Sequence, residues 1–194
     1  MKKIVHLLLI LFSSFFLSAC VVTGATPTNK SQKNELRKER IVDSKKTLQM
    51  LYKSVPSAKS SIQSAYGYAT FSNVGVNLIL VSAEGGKGLA HNNKSGKNIY
   101  MNMGSGGLGF GLGVKDFRAV FVFENKKVFD NFIHKGWEAN AQADAAAKAG
   151  KKGAAIAAAV TVAPGIKLYK LTQNGLALQA TIQGTKYWKD SDLN

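Results

Sequence analysis

Residues 104–113 read GSGGLGFGLG, six glycines in ten residues, the densest glycine run in the chain. Its first six letters fit G-x-G-x-x-G, a phosphate-cradling fingerprint that needs a strand before it, a helix opening at its third glycine and an acidic residue about twenty positions further on. The following residues supply no helix: Lys115-Asp116 looks like a turn, and Ala119 to Phe123 reads as another strand. Read with period two, Gly107, Gly109, Gly111 and Gly113 fall on one face, and Leu108, Phe110, Leu112 and Val114 on the other. A strand with one bare face lets a neighbour approach its backbone closely, or lets the sheet coil. The expected neighbour is a helix of the protein itself.

The surrounding sequence has the same texture. From Gly67 to Asn125 short apolar or alternating runs are separated by Gly, Asn, Lys and Asp, which predicts antiparallel strands and turns. Strands are expected near 68–71, 75–83, 86–92, 97–103, 106–114 and 117–123, with the Lys94-Ser95-Gly96 triplet as one hairpin tip. Asn125 to His134 places Val128, Phe129, Phe132 and Ile133 at helical spacing before Gly136, so a short amphipathic helix should lie on the sheet. Thirteen of the twenty-five residues from 139 to 163 are alanine, but Gly150 and Gly153 interrupt them and a β-branched run precedes Pro164. This stretch reads as helix or strand. The last stretch predicts two strands around Gln173-Asn174-Gly175. The fold class is α+β: a mostly antiparallel twisted sheet or partly closed barrel, with an N-terminal amphipathic helix and a short helix packed on it.

That N-terminal helix is predicted over Glu35 to Val55, where Ile41, Leu48, Tyr52 and Val55 share one face. Pro56 ends it, and Ser57 to Ala65 can form a second short helix. Nine Lys or Arg against three acids lie between residues 30 and 60. A basic amphipathic helix can lie on a bilayer, or its apolar stripe can pack on the domain's core while the lysines face outward. Both hold if the charged face meets the headgroups. Arg37, Lys38, Arg40, Lys45, Lys46 and Lys53 are the candidate lipid-binding residues.

Upstream, Lys2 and Lys3 precede an apolar run from Ile4 to Leu17 and a small-residue site, the pattern of a secretory signal too short to span as a helix. Leu17-Ser18-Ala19-Cys20 resembles a bacterial lipobox, whose cysteine receives a diacylglyceryl group. Cys20 is the sole cysteine, so lipidation would leave no thiol for a disulfide or a nucleophile. The domain boundaries follow: a signal over 1–19, lipidated cysteine and tether over 20–34, and a single domain over 35–190. The net charge is +15, of which Lys2 and Lys3 contribute two. For an exported, lipid-anchored chain the nearest anion is a membrane surface rather than nucleic acid, although the charge can also serve solubility alone. Val21 is not the aspartate associated with inner-membrane retention, so an outer-membrane anchor with the domain in the periplasm is expected.

The sequence from Ala65 to Gly75, AYGYATFSNVG, is similar to the A-x-G-x-A-x-F-x-x-V-G opening of the SYLF domain family. The resemblance continues through Glu84 to Gly88, the glycine-rich strand, Ala119 to Asn125, Tyr169 to Leu178 and Gly184 to Lys186, in order over about 120 residues. It looks most like the family's bacterial lipoprotein branch. Ser72, where many members have proline, and Asn77, where glycine is frequent, depart from the pattern. The resemblance implies a binding module rather than an enzyme, with no catalytic motif to carry over. Eukaryotic members bind phosphoinositides through a basic N-terminal segment, and some bind actin filaments. In an exported bacterial protein only the binding of anionic phospholipid or glycolipid headgroups transfers. A structural or assembly role, with another envelope protein as partner, is the alternative.

The residues themselves offer no reaction. His91 and His134 are distant in sequence with no adjacent His or Cys, so neither metal nor cofactor is expected. No G-x-S-x-G elbow or P-loop lysine motif occurs. Glu84 is expected to be a hairpin carboxylate neutralised by Lys87, since one unpaired carboxylate is not a mechanism. Trp137, Tyr187 and Trp188 are expected in the core rather than at a membrane interface.

Overall fold

The computed structural model describes residues 29–138, 159–172, 175–176 and 185–194, with 73–84, 106–117, 172, 175 and 176 as backbone alone. Helix α1 runs from Lys30 to Ser54, starting five residues earlier than expected. The early start has a local cause: the Asn29 side chain accepts the Gln32 N–H at 2.9 Å, satisfying a first-turn donor. Any tether therefore ends before Lys30, rather than at residue 34. Helix α2, Ala58–Ser64, follows Pro56 and buries Ala58 and Ile62.

Two strands form the body of the sheet, β1 (Gly67–Asn92) and β2 (Asn98–Phe123), each of 26 residues. They pair antiparallel along their length, from Gly67 opposite Phe123 to His91 opposite Asn98, with a register shift between Ile79 and Val81. This corrects the expectation of six short strands. Glu84 lies opposite Ser105 and Lys115 opposite Gly75, so neither Glu84-to-Gly88 nor Lys115-Asp116 is a turn. Glycine, asparagine and lysine in a ladder cost strand propensity, but here nearly all of them gain a partner across a long hairpin. The tight turn expected at residues 94–96 is present: Asn92 Oδ1 accepts the N–H groups of Lys94 and Ser95 at 2.8 and 3.0 Å, and Gly96 takes φ 71°. Residues 104–113 lie inside β2, so the helix required by a dinucleotide loop is absent there. The side chains facing Gly107 to Gly113 lie outside the described residues.

Helix α3, Lys126–His134, matches its expected bounds to within a residue, with Asn125 Oδ1 accepting the Val128 N–H at 3.1 Å. The remaining strands are β3 (Trp137–Glu138), β4 (Val160–Ala163), β5 (Ile166–Thr172), β6 (Gly175–Leu176) and β7 (Thr185–Lys189). The alanine-rich stretch between β3 and β4 lies mostly outside the described residues. One edge of β2 pairs with β1; the other takes β7 along Met101–Ser105 and β5 along Phe117–Phe123. β3 joins β7, while β4 and β6 join β5. Every described pairing is antiparallel, and the class is α+β as expected.

Strand alternation sorts the core onto two faces. Ala69, Phe71, Ala119, Phe121 and Phe123 point towards α3, where Phe129, Phe132 and Tyr187 complete an aromatic cluster. Ring centroids stand 4.7 Å apart for Phe71 and Tyr187 and 4.8 Å for Phe123 and Phe132. Close packing demands glycine at position 88, because an added Cβ would meet Phe71 Cδ1 at 2.3 Å. On the opposite face Val120, Val122, Tyr169 and Leu171 pack against Leu51 and Val55 of α1 and Ala58 and Ile62 of α2.

Candidate functional site

Helix α1 does not turn a simple apolar stripe inward. Its buried line is Arg40, Ser44, Thr47 and Leu51, at spacings of four, three and four, with Val55 continuing it. Ile41, Leu48 and Tyr52 of the expected stripe flank that line and are half-buried. The helix thus sits on the sheet through an apolar C-terminal half and a polar N-terminal half.

The polar half is a seam of three neighbouring hydrogen-bonded groups. Arg40 is only 6% exposed; its Nη2 donates to Asp190 Oδ2 at 3.1 Å and to Asn102 Oδ1 at 3.3 Å, and its Nη1 donates to the Met101 carbonyl at 2.7 Å. Burial lowers its pKa from the ordinary value, opposed by the charge of Asp190. Thr70 Oγ1 donates to Ser44 Oγ at 2.8 Å, while Arg118 Nη1 donates to Ser72 Oγ at 2.7 Å and to Thr47 Oγ1 at 3.4 Å. Arg37 also faces the domain: its Nε donates to the Leu193 carbonyl at 2.8 Å, and its guanidinium lies 5.8 Å from the centroid of Tyr100.

These contacts divide the six candidate residues. Arg40 is withdrawn from the surface, which corrects its assignment as a lipid contact, because its guanidinium is committed to Asp190, to Met101 and Asn102 of β2 and, at 3.5 Å, to the Gly88 carbonyl of β1. Arg37 is tied to the C-terminal turn. Lys38, Lys45, Lys46 and Lys53 are exposed, and helical periodicity sets them within an arc of about 100°. Val42, 48% exposed, sits inside the same arc. Lys38 pairs with Glu35 at 3.6 Å, both largely exposed, a contact worth little. The solvent face therefore carries a lysine stripe, with the exposed Glu35 and the apolar Val42 inside the same arc.

The three aromatic residues also separate. Tyr187 is buried, Trp137 packs against the aromatic cluster, and Trp188 is 43% exposed, so the expectation of a core position fails for Trp188. Strand alternation explains it, since Tyr187 and Trp188 must point to opposite faces of β7. Glu84 and its side-chain partners lie outside the described residues.

The sequence missed Asp190 as the partner of Arg40 and Arg118 as a member of the seam. The spacing of Arg40, Ser44, Thr47 and Leu51 was available as a signal. Polar residues on that phase conceal it from any reading that counts only apolar ones.

A long antiparallel hairpin carrying further strands, with helices on both faces, defines an α+β architecture. Residues 104–194 match the family model described as the Las17-binding protein actin regulator, Ysc84. A curated relative, beta cell expansion factor A of Aeromonas veronii, is 41% identical over 143 residues, which are 74% of this chain and 53% of the relative. The chain thus spans about half the length of that relative. It belongs to the SYLF family, as the sequence blocks implied, and this is a family of non-enzymatic domains.

Proposed function

We propose that the domain is a non-catalytic module that binds anionic lipid or glycolipid surfaces through the solvent face of α1. The observation that carries this reading is the lysine stripe of Lys38, Lys45, Lys46 and Lys53 around the exposed Val42, on a helix whose other face is occupied by the domain itself. Each lysine near an anionic surface contributes about 1 kcal/mol, so four suffice for orientation but bind weakly without an anchor. The anchor in this reading is diacylglycerol on Cys20, after export and removal of residues 1–19, with the domain held at the outer membrane facing the periplasm. Two acyl chains hold the protein, and the stripe sets how it lies.

A second reading, in which the domain binds another envelope protein, draws on the exposed Trp188 between Lys186 and Lys189 and on the protein-binding description of the matched family. The two separate in one experiment. A Cys20→Ser form beginning at residue 20 is sedimented with phosphatidylglycerol-rich and with neutral phosphatidylcholine vesicles over a salt series. Binding to the anionic vesicles alone, weakening with salt, is the expected outcome. Lys45→Glu with Lys46→Glu should reduce it at least about 10-fold. Equal weak binding to both vesicle types removes the lipid reading and leaves the protein-partner one.

A further inference from the structure

At the end of the sheet away from the Ile79 bulge, the β1–β2 turn, α3 and the C-terminal turn enclose a groove of about 490 Å³. Its walls are held by local hydrogen bonds. Asn92 closes the hairpin turn, and Asn93 Nδ2 fastens it to α2 by donating to the carbonyls of Ile62 and Ala65 at 2.7 and 3.0 Å. Asp190 Oδ1 closes the C-terminal turn by accepting the N–H groups of Asp192 and Leu193 at 3.0 and 3.1 Å. The groove is thus pre-formed and of a size that takes a small molecule.

Its chemistry is one-sided. Arg37, Lys97 and Lys189 line it, against the single acidic side chain of Asp130, which is already paired with Lys126. Lys97 and Lys189 are exposed, and the Nη2 of Arg37 and the Nδ2 of Asn98 have no partner among the described residues. Cationic side chains therefore outnumber anionic ones, and the occupant that complements them is rich in acceptors and negatively charged. The floor differs: Ile99, Phe129 and Ile133 are buried and apolar. A bare oxyanion would leave most of the volume and that floor unused. An acyl chain would strand the lysines.

We propose that this groove binds an anionic saccharide: a hexose-sized ring whose phosphate or carboxylate meets Arg37, Lys97 and Lys189, with its C–H face on Ile99, Phe129 and Ile133. The site is separate from the outer lysine stripe of α1 and does not depend on the stripe binding lipid. The sugar acid can be free or the headgroup of a glycolipid.

The full chain, held in neutral phosphatidylcholine nanodiscs, is titrated calorimetrically with glucose 6-phosphate and with glucuronate, and with glucose and inorganic phosphate for comparison. Saturable binding of the sugar acids, at least about 10-fold tighter than either comparison, is expected. Lys97→Glu with Lys189→Glu should weaken it by a similar factor without moving the melting temperature, and Lys45→Glu with Lys46→Glu should leave it unchanged. In a second arm the nanodiscs carry glucuronosyl diacylglycerol. Loss of that binding in the Lys97/Lys189 variant, with no response to soluble sugar acids, assigns the groove to a glycolipid headgroup. No saturable binding in either arm overturns the proposal, as does binding that the Lys97/Lys189 variant leaves intact. Glucose or phosphate binding as tightly as the sugar acids overturns it too. Phosphatidylglycerol binding through Lys45 and Lys46 stands or falls independently.

Discussion

The two faces of the β1–β2 sheet are covered in different ways. Towards α3, Phe71, Phe121, Phe123, Phe129, Phe132 and Tyr187 form a contiguous aromatic cluster. Towards α1, half the contact is apolar and half is a hydrogen-bonded seam built on Arg40, Ser44, Thr47, Thr70 and Asp190. Apolar burial is non-directional, whereas the hydrogen bonds of the seam form in one register of α1 over the strands, with only the buried Nε of Arg40 left unpaired among the seam's described side-chain atoms. The α3 face buries the larger apolar cluster, and the α1 face fixes where the helix sits. That position determines which lysines look outward.

The largest effect should come from the aromatic side. Phe121→Ala removes a ring that touches Phe71, Phe132 and Tyr187, and is expected to destabilise by about 3–5 kcal/mol in urea unfolding. A loss below about 1 kcal/mol would mean that the cluster can collapse around the gap, and the contrast between faces would weaken.

On the seam, Asp190→Asn leaves the buried guanidinium of Arg40 without its counter-charge and should cost about 3 kcal/mol. The double change Arg40→Met with Asp190→Leu is the sharper test. It should recover stability to within about 1 kcal/mol of the unaltered protein, because the pair's attraction is largely offset by its desolvation. If the seam fixes register, that double variant should show faster amide exchange in the first half of α1 while its melting curve is nearly normal. A more modest loss, about 1 kcal/mol, is expected for Thr70→Val, which deprives the buried Ser44 hydroxyl of its donor.

The two faces were unequally legible in the sequence. Helix α3 was readable because Val128, Phe129, Phe132 and Ile133 repeat with helical spacing behind an asparagine cap. The hairpin tip at residues 94–96 was readable from its turn chemistry. The 26-residue strands were not, because glycine, asparagine and Lys115-Asp116 are local turn signals that cross-strand pairing overrides. On α1 the outward lysines were found, while Arg40 was assigned to the same surface. An arginine is usually exposed, and only its partner 150 residues later, Asp190, makes burial tolerable. Long-range pairing of that kind leaves no periodicity for a sequence reading to detect.

The smallest expected effect is on the alkaline side and tests whether the apolar half of the α1 face is dry. Burial raises the pKa of Tyr68 above its ordinary value of 10.0, with a further contribution from the charge of Tyr52. The unfolded chain then releases the Tyr68 proton at a lower pH than the folded protein does. Its contribution to stability is complete below about pH 10 and is lost as pH rises through the raised folded value. Tyr68→Phe should therefore leave stability at pH 7 within about 0.5 kcal/mol of the unaltered protein and make the decline above pH 10 shallower. Urea midpoints measured from pH 8 to 11 would show this as two curves that coincide at the lower end and separate at the upper. Curves that stay parallel throughout would mean water reaches the Tyr68 hydroxyl, and α1 would then cover its apolar half less tightly than its polar one.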